Sequence, residues 1–111
     1  MTFKIQKHLS DIQTSTGSIY ESLGEQRNFD VYLANKRQLR SVMRKLETVC
    51  EAVSGLLQLN PDIRISNARK VVSLCNCIIH SDSADSEIVR EIVVNYLPKL
   101  KEEVDKLLAK S

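Results

Sequence analysis

Apolar residues recur every three or four positions along most of the chain, which is the spacing that one face of a helix requires. Only three glycines and two prolines interrupt the 111 residues, and no strand pattern competes seriously with the helical one. A chain of this length has room for one hydrophobic core. The pattern therefore predicts an all-α fold, an up-and-down bundle of about five helices in a single domain that spans residues 1–111.

Helix-breaking residues divide this pattern into segments. The first helix is predicted to end at Gly24, a residue type common at helix C-termini, and the second extends from Phe29 to Leu59. Asn60-Pro61-Asp62 then forms a turn, because a proline disfavours helical geometry in the residue before it. Ser66 is in position to cap the third helix. A fourth helix follows a polar loop, and Pro98 suits the first turn of the fifth.

The composition is that of a globular protein, with 42% hydrophobic and 27% charged residues. No apolar run approaches the roughly 20 residues needed to cross a bilayer. Charged and polar residues interrupt the N-terminal segment, so we expect a cytoplasmic protein without a signal peptide or membrane contact. Three cysteines, Cys50, Cys75 and Cys77, make a poor disulfide framework. We expect reduced thiols, with Cys50 and Cys75 as small buried side chains.

One face of the third helix carries a polar stripe. At about 100° per residue, four polar side chains fall on one side of this helix, opposite its apolar face: Arg69, Ser73, Asn76 and His80. An imidazole titrates at about pH 6.5, so His80 is a candidate proton-transfer group. A solvated helix end with an exposed histidine explains the same pattern, and no second catalytic group is evident.

Two cysteines and a histidine near the end of this helix raise the question of a metal site. Thiolates and imidazoles are zinc ligands. Cys75 and Cys77, however, lie about 200° apart around a helix, so that only Cys77 and His80 face each other. A structural zinc site requires four ligands. We therefore expect neither a metal nor another cofactor.

A basic ridge occupies the start of the second helix. Five basic residues and no acidic one lie between positions 36 and 45, and three of them, Arg37, Arg40 and Arg44, share one helix face. We call these three residues the basic ridge. It suits an RNA backbone or an acidic partner, although a solvated basic face is an equally simple explanation. The net charge of +2 is too small to indicate by itself that the protein binds a nucleic acid. The absence of tryptophan argues against a base-stacking surface.

Four segments in order resemble one known family: Lys45-Leu46-Glu47-Thr48-Val49-Cys50-Glu51-Ala52, Asn76-Cys77-Ile78-Ile79-His80, Asp85-Ser86-Glu87-Ile88-Val89 and Leu97-Pro98-Lys99-Leu100. From about residue 28 to residue 108 the chain resembles the HepT-like branch of the HEPN-domain family. The resemblance implies an all-helical homodimer. It also implies a metal-independent ribonuclease that acts as a toxin beside a minimal nucleotidyltransferase antitoxin.

The family's catalytic signature is an Arg, four intervening residues and a His, with a polar residue after the Arg and often a Tyr two residues beyond the His. His80 and Asn76 match this signature, whereas Cys75 stands at the Arg position and Asp82 at the Tyr position. In the implied mechanism the His shuttles protons while the Arg neutralises the reacting phosphate. Arg69 lies about 16 Å from His80 along a helix, too far to replace that Arg within one chain.

Two functions follow from this pattern. The first is a HepT-like toxin–antitoxin component with a degenerate site and weak or no RNA cleavage, in which Arg69, Ser73 and the basic ridge bind RNA or the partner. The alternative is a non-catalytic dimeric helical module that binds a nucleotidyltransferase-like partner or a nucleotide. Because Asp82 has no hydroxyl group, the AMP modification known for the family's Tyr has no acceptor at this position. An unrelated small-molecule pocket remains a third possibility.

Overall fold

The computed structural model describes residues 3–23, 36–79 and 86–110, and every regular element in these ranges is helical. The elements are α1 (Phe3–Leu23), α2 (Lys36–Leu59), α3 (Ala68–Ile79), α4 (Ser86–Glu91), a π-helical turn (Ile92–Tyr96) and α5 (Leu97–Ala109). The predicted all-α fold is confirmed. The predicted helix end at Gly24 and the predicted helix start at Phe29 lie outside the described residues. Of the described helices, none combines the length and the apolar character that crossing a bilayer requires.

The core lies where α1 and α2 pack along each other, with α5 against α1 and α3 against α2. On α2 the buried stripe is centred on Val42, Val49 and Leu56, which lie two turns apart. Met43 and Leu57 lie at the edge of this stripe and are only partly buried. The apolar face of α2 is wide, so its spacing alone does not fix which edge α1 covers. The side chains with almost no exposure include Leu9, Ile12, Ile19, Leu46, Val53, Val71, Ile92, Leu97 and Leu100.

The turn between α2 and α3 forms at the predicted place. The Asp62 amide donates to the Asn60 side-chain oxygen (3.1 Å), and the Ile63 amide donates to the Asn60 carbonyl oxygen (3.0 Å). Asn67 follows with a positive φ of 60°, a conformation that Asn tolerates better than most residues. The predicted capping role of Ser66 is wrong, because α3 begins at Ala68. The Ser66 amide and hydroxyl instead donate to the carboxylate of Glu103 on α5.

The last two predicted helices form one uninterrupted helical run. The π-helical turn joins α4 to α5, and the dihedral angles stay helical at Glu91 (−58°, −46°) and at Leu97 (−61°, −40°). The Leu97 amide donates to the carbonyl oxygen of Ile92, five residues earlier. Pro98 lies in the first turn of α5, as predicted. A proline ring clashes with the carbonyl four residues before it, and the wider π turn lies directly ahead of Pro98.

A disulfide joins Cys50 on α2 to Cys75 on α3, which corrects the prediction of reduced thiols. The two Cα atoms are 6.2 Å apart, within the usual range for a disulfide. Both residues are buried, as predicted, with 5% and 2% of their surface exposed. The residues are 25 positions apart in sequence, so only the packing of α2 against α3 brings the sulfur atoms together.

Candidate functional site

The structure places the described part of the polar stripe on the outer face of α3. Arg69, Ser73 and Asn76 are exposed, whereas Val71 and Cys75 face the core. This division follows from the helical period, since core-facing positions recur at steps of three and four. His80 and Asp82 lie outside the described residues, and so does the side chain of Cys77.

A surface groove runs between α2 and α3 beside this stripe. It consists of two adjoining cavities of about 320 and 360 Å³ that share Ser54, Gln58 and Val72 as lining residues. Asn76 borders the first cavity and Arg69 the second, so both ends of the described stripe face the same groove. The other lining residues are Cys50, Glu51, Gly55 and Leu57. The groove is therefore a mixed surface of polar, charged and apolar groups.

Sequence reasoning missed the α2 side of the groove. Glu51, Ser54 and Gln58 line it, and none of them was singled out from the sequence. Their spacing of three and four residues places them on one helix face, so a second polar stripe was visible in the sequence. What the sequence did not show is that this stripe of α2 lies beside the stripe of α3, because that depends on how the two helices pack.

The basic ridge lies on the same side of α2 as the residues that line the groove. All three of its residues, Arg37, Arg40 and Arg44, are exposed. Arg44 precedes Glu51 by seven residues, which is nearly two full helical turns, so the two side chains point to the same side about 10 Å apart. The ridge therefore leads into the groove along one helix. The groove itself is not uniformly positive. Glu51 on α2 contributes a carboxylate to its lining, and Arg69 on α3 contributes a positive charge.

Cys75, predicted from the sequence to stand at the position of the family's catalytic Arg, contributes nothing to the exposed stripe. Its side chain faces α2, is 2% exposed and is bonded to Cys50. A disulfide sulfur carries no charge and is not a thiolate ligand. Position 75 therefore supplies neither a cation for a phosphate nor a ligand for a metal. Its neighbour Asn76, predicted to belong to the same signature, lines the groove.

The described residues therefore form an all-helical domain in which a groove with polar side chains is bordered by a basic helix face. The particular family is also clear: the chain belongs to the ribonuclease HepT-like family, whose profile matches residues 5–107. This match confirms the resemblance noted from residue 28 onward and extends it through most of α1. Neither a curated protein nor a solved structure matches the chain.

Proposed function

We propose that this protein is the HepT-like component of a toxin–antitoxin pair, that it binds RNA along the basic ridge and the groove, and that it cleaves RNA weakly or not at all. The family match over residues 5–107 is the observation that carries this proposal. The groove adds a place for the ligand, because Asn76 of the family signature lines it. The basic ridge adds the charge that an RNA backbone requires.

RNA is proposed to contact α2 over much of its length. Phosphates would lie along Arg40 and Arg44, which are exposed and one helical turn apart. Riboses and bases would enter the groove, where Ser54, Gln58 and Asn76 offer hydrogen-bond donors and acceptors. The described groove contains no aromatic residue, so recognition there rests on hydrogen bonds and shape and not on base stacking.

The proposed weak cleavage follows from the chemistry at position 75. His80 would move the proton of the attacking 2′-hydroxyl, but charge growing on the phosphate would meet no guanidinium from Cys75. Losing one such preorganised group costs on the order of a hundred- to a thousandfold in rate. The same observation favours the second candidate function, a non-catalytic dimeric module that binds a nucleotidyltransferase-like partner or a nucleotide.

The proposed assembly is a cytoplasmic homodimer that pairs with a minimal nucleotidyltransferase antitoxin. With Asp82 at the family's Tyr position, the antitoxin would act by binding and not by attaching AMP there. Sedimentation at micromolar concentration should give twice the 12.6 kDa mass of one chain. A mass of one chain would contradict the homodimer.

RNA binding is tested by fluorescence anisotropy with a labelled single-stranded RNA at two salt concentrations. We expect Arg40→Gln and Arg44→Gln each to weaken binding and to reduce its salt dependence by about one phosphate contact. Lys99→Gln, which removes one charge from an exposed position of α5, is the matched control. Equal losses in all three variants would show a response to net charge alone and would contradict binding at the ridge.

Cleavage is tested in the presence of a metal chelator with the wild type, His80→Ala, Ser73→Arg and the double variant Ser73→Arg/His80→Ala. Ser73→Arg is preferred to Cys75→Arg, because Ser73 is exposed whereas an Arg at position 75 would bury a charge and break the disulfide. A gain of cleavage in Ser73→Arg that disappears when His80 is also replaced would support the degenerate ribonuclease. No cleavage in any variant, with RNA or partner binding retained, would favour the non-catalytic module.

A further inference from the structure

The disulfide lies directly behind the lining of the groove. Cys50 is one of the residues that line the cavity next to Asn76, and it is bonded to Cys75, the residue directly before Asn76. The bond therefore ties α3 to α2 at the point where the polar stripes of the two helices meet. Of the two bonded cysteines, only Cys50 is among the residues that line the described groove; Cys50 is 5% exposed and Cys75 2%.

We propose that Cys50 and Cys75 form a thiol–disulfide exchange site that is entered from the groove through Cys50, and that the oxidised form is the one that binds RNA tightly. The co-reactant is a low-molecular-weight thiol. Its thiolate attacks the Cys50 sulfur, the disulfide bond breaks, and the electron pair leaves on the Cys75 sulfur, which takes up a proton. A second thiol then releases Cys50 as a thiol and leaves as the small-molecule disulfide. One protein disulfide is reduced and two small thiols are oxidised.

The direction of attack follows from the surroundings of the two sulfur atoms. A thiolate must approach one sulfur in line with the bond that breaks, so access selects the target. Cys50 belongs to the lining of the groove, whereas Cys75 lies on the core side of α3 with Val71, so a thiol in the groove would reach Cys50 first. Glu51 lines the same cavity and repels negative charge, so a thiol or disulfide that carries no carboxylate should react there faster than one that carries carboxylates.

The effect on RNA rests on the proposed function, whereas the exchange chemistry does not. With the bond intact, Asn76 on α3 is held opposite Ser54 and Gln58 on α2, so that the groove is preorganised. Reduction breaks this covalent link between the two helices. The position of α3 relative to α2 must then be fixed when RNA binds. Preorganising one or two side chains changes affinity by about three- to tenfold. We therefore expect oxidation to strengthen RNA binding by about that factor.

The first experiment counts thiols by mass spectrometry after alkylation of the denatured protein. Of the three cysteines, one should be alkylated in protein dialysed against air-saturated buffer without a thiol or a glutathione disulfide, and all three after reduction. Three alkylated thiols before reduction would overturn the inference. Brief treatment of the native oxidised protein with glutathione should give a mixed disulfide that peptide mapping assigns to Cys50. A mixed disulfide at Cys75 would overturn the proposed entry from the groove.

A matched pair of variants tests entry through the groove independently. In a Cys77→Ser background, Cys75→Ser leaves only Cys50, and Cys50→Ser leaves only Cys75. The uncharged reagent dithiodipyridine should react with native Cys50 about tenfold or more faster than with native Cys75. Equal rates would overturn the inference, and the glutathione mapping of wild-type protein gives the same answer if either variant fails to fold.

The RNA readout separates this inference from the proposed function. Anisotropy with the labelled RNA is measured for oxidised and reduced wild type and for Cys50→Ala/Cys75→Ala under both conditions. Binding three- to tenfold tighter in the oxidised wild type alone supports the inference. Equal binding in both states overturns the redox effect and leaves the proposed function intact. Loss of RNA binding in both states contradicts the proposed function, while the thiol experiments still report on the exchange site.

Discussion

Gly55 on α2 faces His8 on α1 so closely that a Cβ atom at position 55 would lie 2.7 Å from the His8 Nε2 atom. Such a separation is shorter than van der Waals contact. The absence of a side chain at position 55 therefore allows the imidazole to pack against the backbone of α2. Gly55 also lines the groove, so this contact fixes one wall of the candidate site against α1.

Replacing the two helical glycines tests this contact. Gly17→Ala should raise the free energy of unfolding by about 1 kcal/mol, because nothing lies within 4 Å of a Cβ there and alanine favours the helix. Gly55→Ala should not show this gain, because the His8 ring must leave its rotamer at a cost of about 0.5–1.5 kcal/mol. In a His8→Ala background, Gly55→Ala should recover the gain. Chemical denaturation of the wild type, Gly17→Ala, Gly55→Ala, His8→Ala and His8→Ala/Gly55→Ala measures these effects, and equal effects of both glycine replacements would contradict the contact.

The disulfide should contribute to global stability. It closes a loop between residues 25 positions apart, so its reduction should lower the free energy of unfolding by about 2–4 kcal/mol. Urea denaturation with and without a phosphine reductant measures this difference. The double variant Cys50→Ala/Cys75→Ala is the control, since its stability should not respond to the reductant. A wild-type curve that also fails to respond would show that the bond is not present.

Glu103 should contribute more to the free energy of unfolding than its neighbour Glu102. The Glu103 carboxylate accepts hydrogen bonds from the Ser66 amide (2.9 Å) and hydroxyl (3.2 Å) and so ties the start of α3 to α5. Glu103→Ala should lower the free energy of unfolding by about 1–2 kcal/mol. Glu102→Ala breaks only a solvent-exposed ion pair with Lys106 and should cost less than about 0.5 kcal/mol. Thermal or chemical denaturation compares the two, and similar losses would contradict a structural role for the Ser66 contact.

Tyr20 should make stability depend on pH in the alkaline range. Burial raises the pKa of its phenol above the ordinary value of 10.0, and within the described residues its hydroxyl has no hydrogen-bond partner. The unfolded chain therefore loses this proton first, so stability should fall as the pH rises from 10 through the folded pKa. Tyr20→Phe should remove this part of the pH dependence and raise stability at neutral pH by up to about 1 kcal/mol. Lower stability of Tyr20→Phe at neutral pH would show that the hydroxyl has a partner.

Asp105 should make the stability of the fold depend on pH in the acidic range. The Gln13 side-chain amide donates to Asp105 (2.8 Å), and Lys101 donates to its other oxygen (3.1 Å), and together they hold the pKa of this carboxyl below its ordinary value. The stability they provide is present above the unfolded pKa and is lost as the pH falls through the folded one. Gln13→Ala should move the pKa of Asp105 towards its ordinary value in an NMR titration. An unchanged pKa would show that the contact between α1 and α5 does not persist in solution.

The ends of the helices were predictable wherever neighbouring residues in the sequence determine them. The break after Leu59 and the place of Pro98 were predicted from the properties of proline and are confirmed. The predictions were wrong where a distant element intervened. Ser66 binds Glu103, 37 residues later, and does not cap its own helix. The two final helices are joined because the π turn accommodates Pro98 within one helical run.

The amino-acid sequence by itself determined the all-α class, the family and the exposed stripe of Arg69, Ser73 and Asn76, because the helical period divides each helix into a buried and an exposed face. Only the tertiary structure decided what lies opposite that stripe. The groove, its α2 wall at Glu51, Ser54 and Gln58, and the disulfide between Cys50 and Cys75 all arise between two helices. Periodicity fixes the direction of a side chain around its own axis, whereas contacts between helices depend on how their surfaces pack.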